Sequence, residues 1–282
     1  MRVSGDLPLH ERRVVYKVPG MSNVCVKRDV TYKSGDGTQL EMDVYTPAGV
    51  SKSAKVPGVL LIHGGPIRSD YQPRLKNWGQ YLSYGELIAA SGLVGVTFNH
   101  RYYDYSQLEQ SAKDVDDAIR CVCAKAELFN LDPDRVCLWA FSGGGPQLSL
   151  ALQDGQKFVR CIVAYYAILD LRETKEASAT LSEEILRKSS LVSNLSRLAA
   201  DNVPVFIARA GLDRPELNKT IDFFIREALV SNVPLDFANH PQGHHAFDVL
   251  DDNPRSRWII AKTIEFLQVN LQKTKSTNSA SP

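Results

Sequence analysis

The chain has 282 residues, with 33 Lys+Arg against 32 Asp+Glu and a formal net charge of +1. That length carries one or two domains with ample core, and the balanced charge, without a basic run, excludes the electrostatic footprint of a nucleic-acid binder. The stretch from Met1 to Pro8 lacks the apolar centre of a secretory signal and no apolar run is long enough to span a bilayer, so a cytoplasmic location with no membrane partner is expected.

Five cysteines, Cys25, Cys121, Cys123, Cys137 and Cys161, are an odd number without Cys-x-x-Cys spacing. They read as small buried hydrophobes rather than as disulfides or metal ligands.

In chain order, Val24 to Tyr45 alternates in the manner of an antiparallel hairpin around a Gly- and Asp-containing turn at 33–38. Val56 to Ile62 is a continuous apolar run, as expected of a strand buried on both faces of a parallel sheet, and it ends in His63-Gly64-Gly65-Pro66. A helix is predicted from Leu75 to Ala90, a strand from Leu93 to Phe98, and an amphipathic helix through Leu108, Ala112, Val115, Ile119, Val122 and Ala126. The strand ending at Phe141 leads into Ser142-Gly143-Gly144-Gly145 and a helix from Pro146 to Leu152.

Further strands are predicted at Val159 to Ala167, Val205 to Ala210 and Pro234 to Asn239, with helices at Leu217 to Val230 and Asn253 to Leu271. In the closing helix Trp258, Ile259, Ala261, Ile264, Phe266 and Leu267 are expected on the sheet side. The polar, helix-prone segment 171–200 reads as a small cap inserted over the sheet, and 273–282 as a disordered tail. Strands alternating with helices give an α/β fold, a mainly parallel central sheet with helices on both faces, within a single domain over 1–282. Sites in such folds gather at the carboxyl ends of the strands.

A serine at a strand-to-helix turn takes a strained backbone conformation that lifts its hydroxyl clear of the sheet, and its neighbours must be small. Ala140-Phe141-Ser142-Gly143-Gly144 meets that demand. It resembles the nucleophile elbow G-x-S-x-G of the α/β-hydrolase superfamily, with alanine in the first glycine position. The esterase and dienelactone-hydrolase-like members are the nearest resemblance, carried by motif order from about Val24 to Leu271. Ser142 stands where true dienelactone hydrolases have cysteine.

The resemblance implies a triad in the order Ser, acid, His, with the acid on a loop after a later strand. Asp213, just beyond Val205 to Ala210, is the expected acid, with Asp170 at the end of the preceding strand as its rival. Of the histidines in Asn239-His240-Pro241-Gln242-Gly243-His244-His245-Ala246-Phe247, the family register selects His245; His244 competes and His240 reads as packing. Gly143 and the H-G-G-like motif supply the expected oxyanion donors, Gly65 first and Gly64 second, because Pro66 has no N–H. His63 is expected to hold that loop by a hydrogen bond, and Tyr102, Tyr103 and Tyr105 are candidate pocket residues.

The expected reaction is hydrolysis of a small carboxylic ester through an acyl-serine, with no metal and no organic cofactor. The same constellation serves a peptidase, thioesterase or lactonase, and a hydrolase-fold receptor with little turnover is the alternative of another class. Oligomeric state is left open.

Overall fold

The computed structural model describes residues 7–35, 37–51, 53–153 and 158–272. The tail 273–282 and Asp36 of the expected hairpin turn lie outside them. Eight strands among the described residues form one sheet. The hairpin β1 (Cys25–Gly35) and β2 (Thr38–Thr46) is followed by β3 (Val56–Ile62), α1 (Gly79–Ala90), β4 (Val94–Phe98), α2 (Leu108–Ala124) and β5 (Leu131–Phe141). Then come α3 (Gly145–Leu152), β6 (Val159–Tyr165), the short helices α4 (Lys175–Thr180), α5 (Glu183–Lys188) and α6 (Leu195–Ala200), and β7 (Val205–Ala210). The chain closes with α7 (Pro215–Val230), β8 (Leu235–His240), α8 (Phe247–Leu250) and α9 (Pro254–Gln272).

The strand order is β1-β2-β4-β3-β5-β6-β7-β8. The first two pairings are antiparallel and the remaining five parallel. Strand pleating explains why the central runs are apolar throughout, since successive side chains face opposite layers. Leu60, Ile62, Leu138 and Ala140 join α2, α3 and α7 on one face. Val59, Leu61, Trp139 and Phe141 join α1 and α9 on the other.

Three expectations are corrected by packing. The predicted helix from Leu75 begins as a separate 3-10 turn, Leu75–Asn77, because Lys76 is drawn inward: its Nζ lies 2.9 Å from Asp43 Oδ1 and 2.6 Å from Asp29 Oδ1. Asp43, fully buried, also accepts from Arg28. This ion cluster ties the loop before α1 to the antiparallel edge. Trp258 does not dock on the sheet. The buried face of α9 runs through Ser256, Ile259, Ile260, Thr263, Ile264 and Leu267, and Trp258 falls between these positions, 43% exposed beneath the Arg255 guanidinium. The cysteines are all free, but only Cys137 and Cys161 are buried and Cys25 is exposed on the edge strand.

The segment 171–200 folds as short helical turns whose Leu186, Leu191, Leu195 and Leu198 enter the core beside Leu148. Its second half is bolted to α3, where Ser149 Oγ donates to the carbonyls of Lys188 and Ser190 and Asn194 Nδ2 donates to Ser149.

Candidate active site

The backbone is extended at Phe141 and turns to φ 50° at Ser142, in the left-handed region, before a 3-10 turn, Ser142–Gly144, runs into α3. A non-glycine residue there costs about 1–3 kcal/mol, which the surrounding contacts must offset. They are close. Ser142 O accepts from Ile168 N at 2.9 Å. A Cβ on Gly143 would stand 1.9 Å from Gly65 O, and one on Gly144 2.7 Å from Ile62 O. The elbow and the loop after β3 therefore meet backbone to backbone, a distance only glycine permits.

His245 Nε2 lies 2.9 Å from Ser142 Oγ, and His245 Nδ1 lies 2.6 Å from Asp213 Oδ2. The Asp213 side chain is almost wholly buried, at 1% exposure, and its other oxygen accepts from Arg214 N at 2.7 Å. A carboxylate so held presents a fixed acceptor to Nδ1–H, which leaves Nε2 unprotonated toward the serine. Ala246, left-handed at φ 63°, turns the chain between His245, directed at Ser142, and Phe247, directed into the core.

The rival residues are engaged elsewhere. Asp170 caps the turn that follows it and pairs with Arg172, whose Nε lies 2.9 Å from its Oδ1. His244 is exposed and pairs with Asp251 at 2.9 Å. His240 is buried, 3.0 Å from Ser256 Oγ.

In the loop after β3, Gly64 N donates to Tyr81 Oη at 3.3 Å, whereas Gly65 N has no hydrogen-bond partner among the described residues. The position of a Gly143 Cβ would be 2.9 Å from Gly65 N, so the two backbone stretches expected to supply the oxyanion donors are adjacent. His63 holds this loop within a larger relay that includes a residue without a sequence-level role, His100. The rings stack at 3.6 Å. His63 Nε2 accepts from His100 N at 3.2 Å, so the ring proton sits on Nδ1 and is donated to Gly64 O at 2.7 Å. His100 Nε2 donates to His63 O, Ser111 Oγ donates to His100 Nδ1, and Gln147 Nε2 on α3 donates to Ser111 Oγ. Burial keeps both rings neutral: it depresses His63 to about 4 and His100 well below the ordinary histidine value.

Two cavities open near this ensemble. One, about 370 Å³, is lined by Tyr105, Ile168, Glu176, Arg214, Leu217 and Thr220, and is bounded by the first turns of 171–200. The other, about 440 Å³, lies where His63, Arg74, Tyr102 and Tyr103 meet the tip of the β1–β2 hairpin. Tyr102 is buried, packed on Gly65. Tyr81, which meets Gly64 N, Tyr166, whose ring lies 4.7 Å from that of His245, and Gln80, which bonds Tyr166, carry no sequence signal: each lies in an ordinary helix or strand pattern. His100 does carry one, since it follows the end of β4 as His63 follows β3.

A mostly parallel eight-stranded sheet, with a left-handed serine at the end of a central strand and a histidine and aspartate converging from later loops, defines an α/β-hydrolase. Residues 42–213 match the BD-FAE family. The chain belongs to that family and is a serine hydrolase of the α/β-hydrolase fold.

Among solved structures, it is similar to the native form of the esterase Est2 from the planctomycete Thermogutta terrifontis, with a TM-score of 0.70 and 18% identity, over 92% of this chain and 96% of that one. It is also similar to Porphyromonas gingivalis dipeptidyl peptidase 4, with a TM-score of 0.66 and 19% identity, over 88% of this chain and 35% of that one. At these identities the likeness is one of fold. Prolyl endopeptidase FAP of Homo sapiens is 27% identical over 142 residues, 49% of this chain; the match spans only 19% of that relative's length. No helix among the described residues is long and apolar enough to cross a membrane.

Proposed function

We propose that the protein is a carboxylesterase that cleaves small carboxylic esters through an acyl-serine intermediate. The observation that carries this reading is the chain Ser142 Oγ, His245 Nε2, His245 Nδ1, Asp213 Oδ2, with links of 2.9 and 2.6 Å. A serine hydroxyl is a poor nucleophile until a base within hydrogen-bond reach takes its proton. His245 takes that proton as Ser142 Oγ adds to the ester carbonyl, and Asp213 holds the imidazole and stabilises the imidazolium. The carbonyl π electrons move to oxygen, where Gly143 N–H and Gly65 N–H receive the oxyanion.

Collapse of the tetrahedral adduct expels the alkoxide, which takes the proton from His245 and leaves as alcohol. Water then repeats the sequence on the acyl-serine and releases the acid. Every step uses side chains and backbone of this chain, and none calls on a cofactor. The cavity beside Arg214 and Ile168 is assigned to the substrate.

The Thermogutta terrifontis esterase has been solved with butyrate and with propionate bound, which supports a short acyl group. The match to prolyl endopeptidase FAP favours a peptidase as the second reading. Purified protein is to be assayed against p-nitrophenyl esters of increasing acyl length and against dipeptidyl p-nitroanilides. Turnover highest on short esters and lost in Ser142→Ala is expected; turnover confined to the anilides moves the function to peptide bonds, and none on either class removes the esterase reading.

A further inference from the structure

Beneath the histidine loop lies a carboxylate that the steps above do not use. Asp248, three residues beyond His245 in α8, is fully buried. Its Oδ1 accepts from Tyr166 Oη at 2.7 Å and its Oδ2 from Gln80 Nε2 at 2.8 Å, and the same amide nitrogen gives a second hydrogen to Tyr166 Oη at 2.8 Å. Gln80 spends both of its own, Tyr166 accepts one and donates one, and with both of its oxygens accepting, this pattern satisfies an ionised carboxylate.

The other titratable groups that feel Asp248, Tyr81 and Tyr84 on α1 and Tyr165 at the end of β6, are phenols whose deprotonation it opposes. No Lys or Arg is paired with it among the described residues. Burial raises its carboxyl above the ordinary range, against the pull of Tyr166, Gln80 and Tyr84.

An anion buried without a cation is costly, and for packing alone an amide of the same shape would serve at less cost. One ring separates the carboxylate from the base. Tyr166, held left-handed at φ 36° and by its N–H to Ala208 O at 2.7 Å, places its ring 4.7 Å from the His245 ring. The same phenol thus lies against His245 with its ring, tilted by 58°, and touches Asp248 with its hydroxyl.

We propose that Asp248 is a positioning residue for His245: through Tyr166 it fixes the plane of the imidazole, and as an unpaired buried carboxylate it favours the imidazolium that forms while His245 holds the Ser142 proton. The proposal rests on the reading of His245 as the base. Asp213 contributes by direct contact, Asp248 through the intervening ring, and no proton moves to Asp248 in turnover.

The test is an NMR pH titration of ring-labelled histidine in the whole protein, with the His245 signal assigned by its loss in His245→Ala. In Asp248→Asn the His245 midpoint is expected to fall by about half a unit or more, because an anion that favours the charged ring is gone. kcat on the best ester should fall about tenfold, with KM nearly unchanged, the pattern of an interaction made mainly in the transition state. Tyr166→Phe keeps the ring but strips a donor from the carboxylate, so it should move both readouts in the same direction; the double variant should be little worse than the more affected single one.

A folded Asp248→Asn that melts lower but leaves the His245 midpoint and the kcat pH profile unmoved would reduce Asp248 to a packing role and overturn the proposal. If Asp248→Asn does not fold, an unshifted midpoint in Tyr166→Phe overturns it equally. The titration requires no turnover, so absence of ester hydrolysis counts against the esterase reading and leaves this result standing on its own.

Discussion

Two loops meet at Ser142, and they are braced in opposite ways. The loop after β3 is held by a neutral relay, His63, His100, Ser111 and Gln147, in which every ring nitrogen has an assigned partner and burial keeps the rings uncharged. The loop after β8 rests on charge: Asp213 directly, and Asp248 through Tyr166. The difference follows from what each loop presents. A backbone N–H proposed to receive an oxyanion needs only fixed position, and a negative charge beside it would oppose the one that forms. A general base must acquire a proton and lose it again, so its surroundings must favour the imidazolium.

The comparison predicts that charge removal hurts most on the histidine side. Asp213→Asn keeps the side chain's shape but loses the fixed acceptor, and kcat should fall by about 10⁴-fold if the carboxylate works as in serine hydrolases generally. Asp170→Asn, which disturbs only the Arg172 pair, should change kcat little. Near-equal losses in the two variants would dissolve the distinction. On the oxyanion side, Gly143→Ala drives a Cβ into the Gly65 carbonyl and should lower kcat by about 10²–10³-fold through displaced donors, without shifting the pH profile.

With His63 depressed from 6.5 to about 4, the unfolded chain binds more protons than the folded one between these values, so stability is fully present above pH 6.5 and is lost as pH falls toward 4. At about 1.4 kcal/mol per pH unit, the loss from this residue alone is on the order of 3 kcal/mol, and His100 adds to it in the same direction. Urea unfolding from pH 7 to pH 4.5 reads it; a flat profile contradicts a neutral pair. The smallest effect belongs to Tyr81→Phe, which leaves the Gly64 N–H unpaired. A stability cost of about 1 kcal/mol and a kcat loss of only a few-fold are expected, whereas a loss as large as that of Gly143→Ala would make Tyr81 a direct participant.

How much of this was legible in the sequence varies by residue. The elbow was, because a strained turn leaves a local mark in Ala140-Phe141-Ser142-Gly143-Gly144, and so was the parallel sheet, because strands buried on both faces read as unbroken apolar runs. Which histidine faces Ser142 was a matter of family register, and the physical reason, the left-handed turn at Ala246, has no sequence signature of its own. The helix expected from Leu75 starts later because the apolar spacing carries no sign that Lys76 is drawn inward, and only tertiary structure brings Asp43 beside it. Asp248 was silent because its partners Tyr166 and Gln80 lie 82 and 168 residues away in sequence. Local patterns mark elements; the polar networks beneath the site are built across them.

The central claim is that His245 makes Ser142 the nucleophile, and covalent labelling with a fluorophosphonate tests it without requiring a known substrate. Peptide mass spectrometry should find the wild-type protein modified at Ser142, Ser142→Ala unmodified, and His245→Ala labelled at Ser142 at least 100-fold more slowly, on the order of what a general base contributes. Labelling at another residue, or equal rates in the wild type and His245→Ala, would contradict the account.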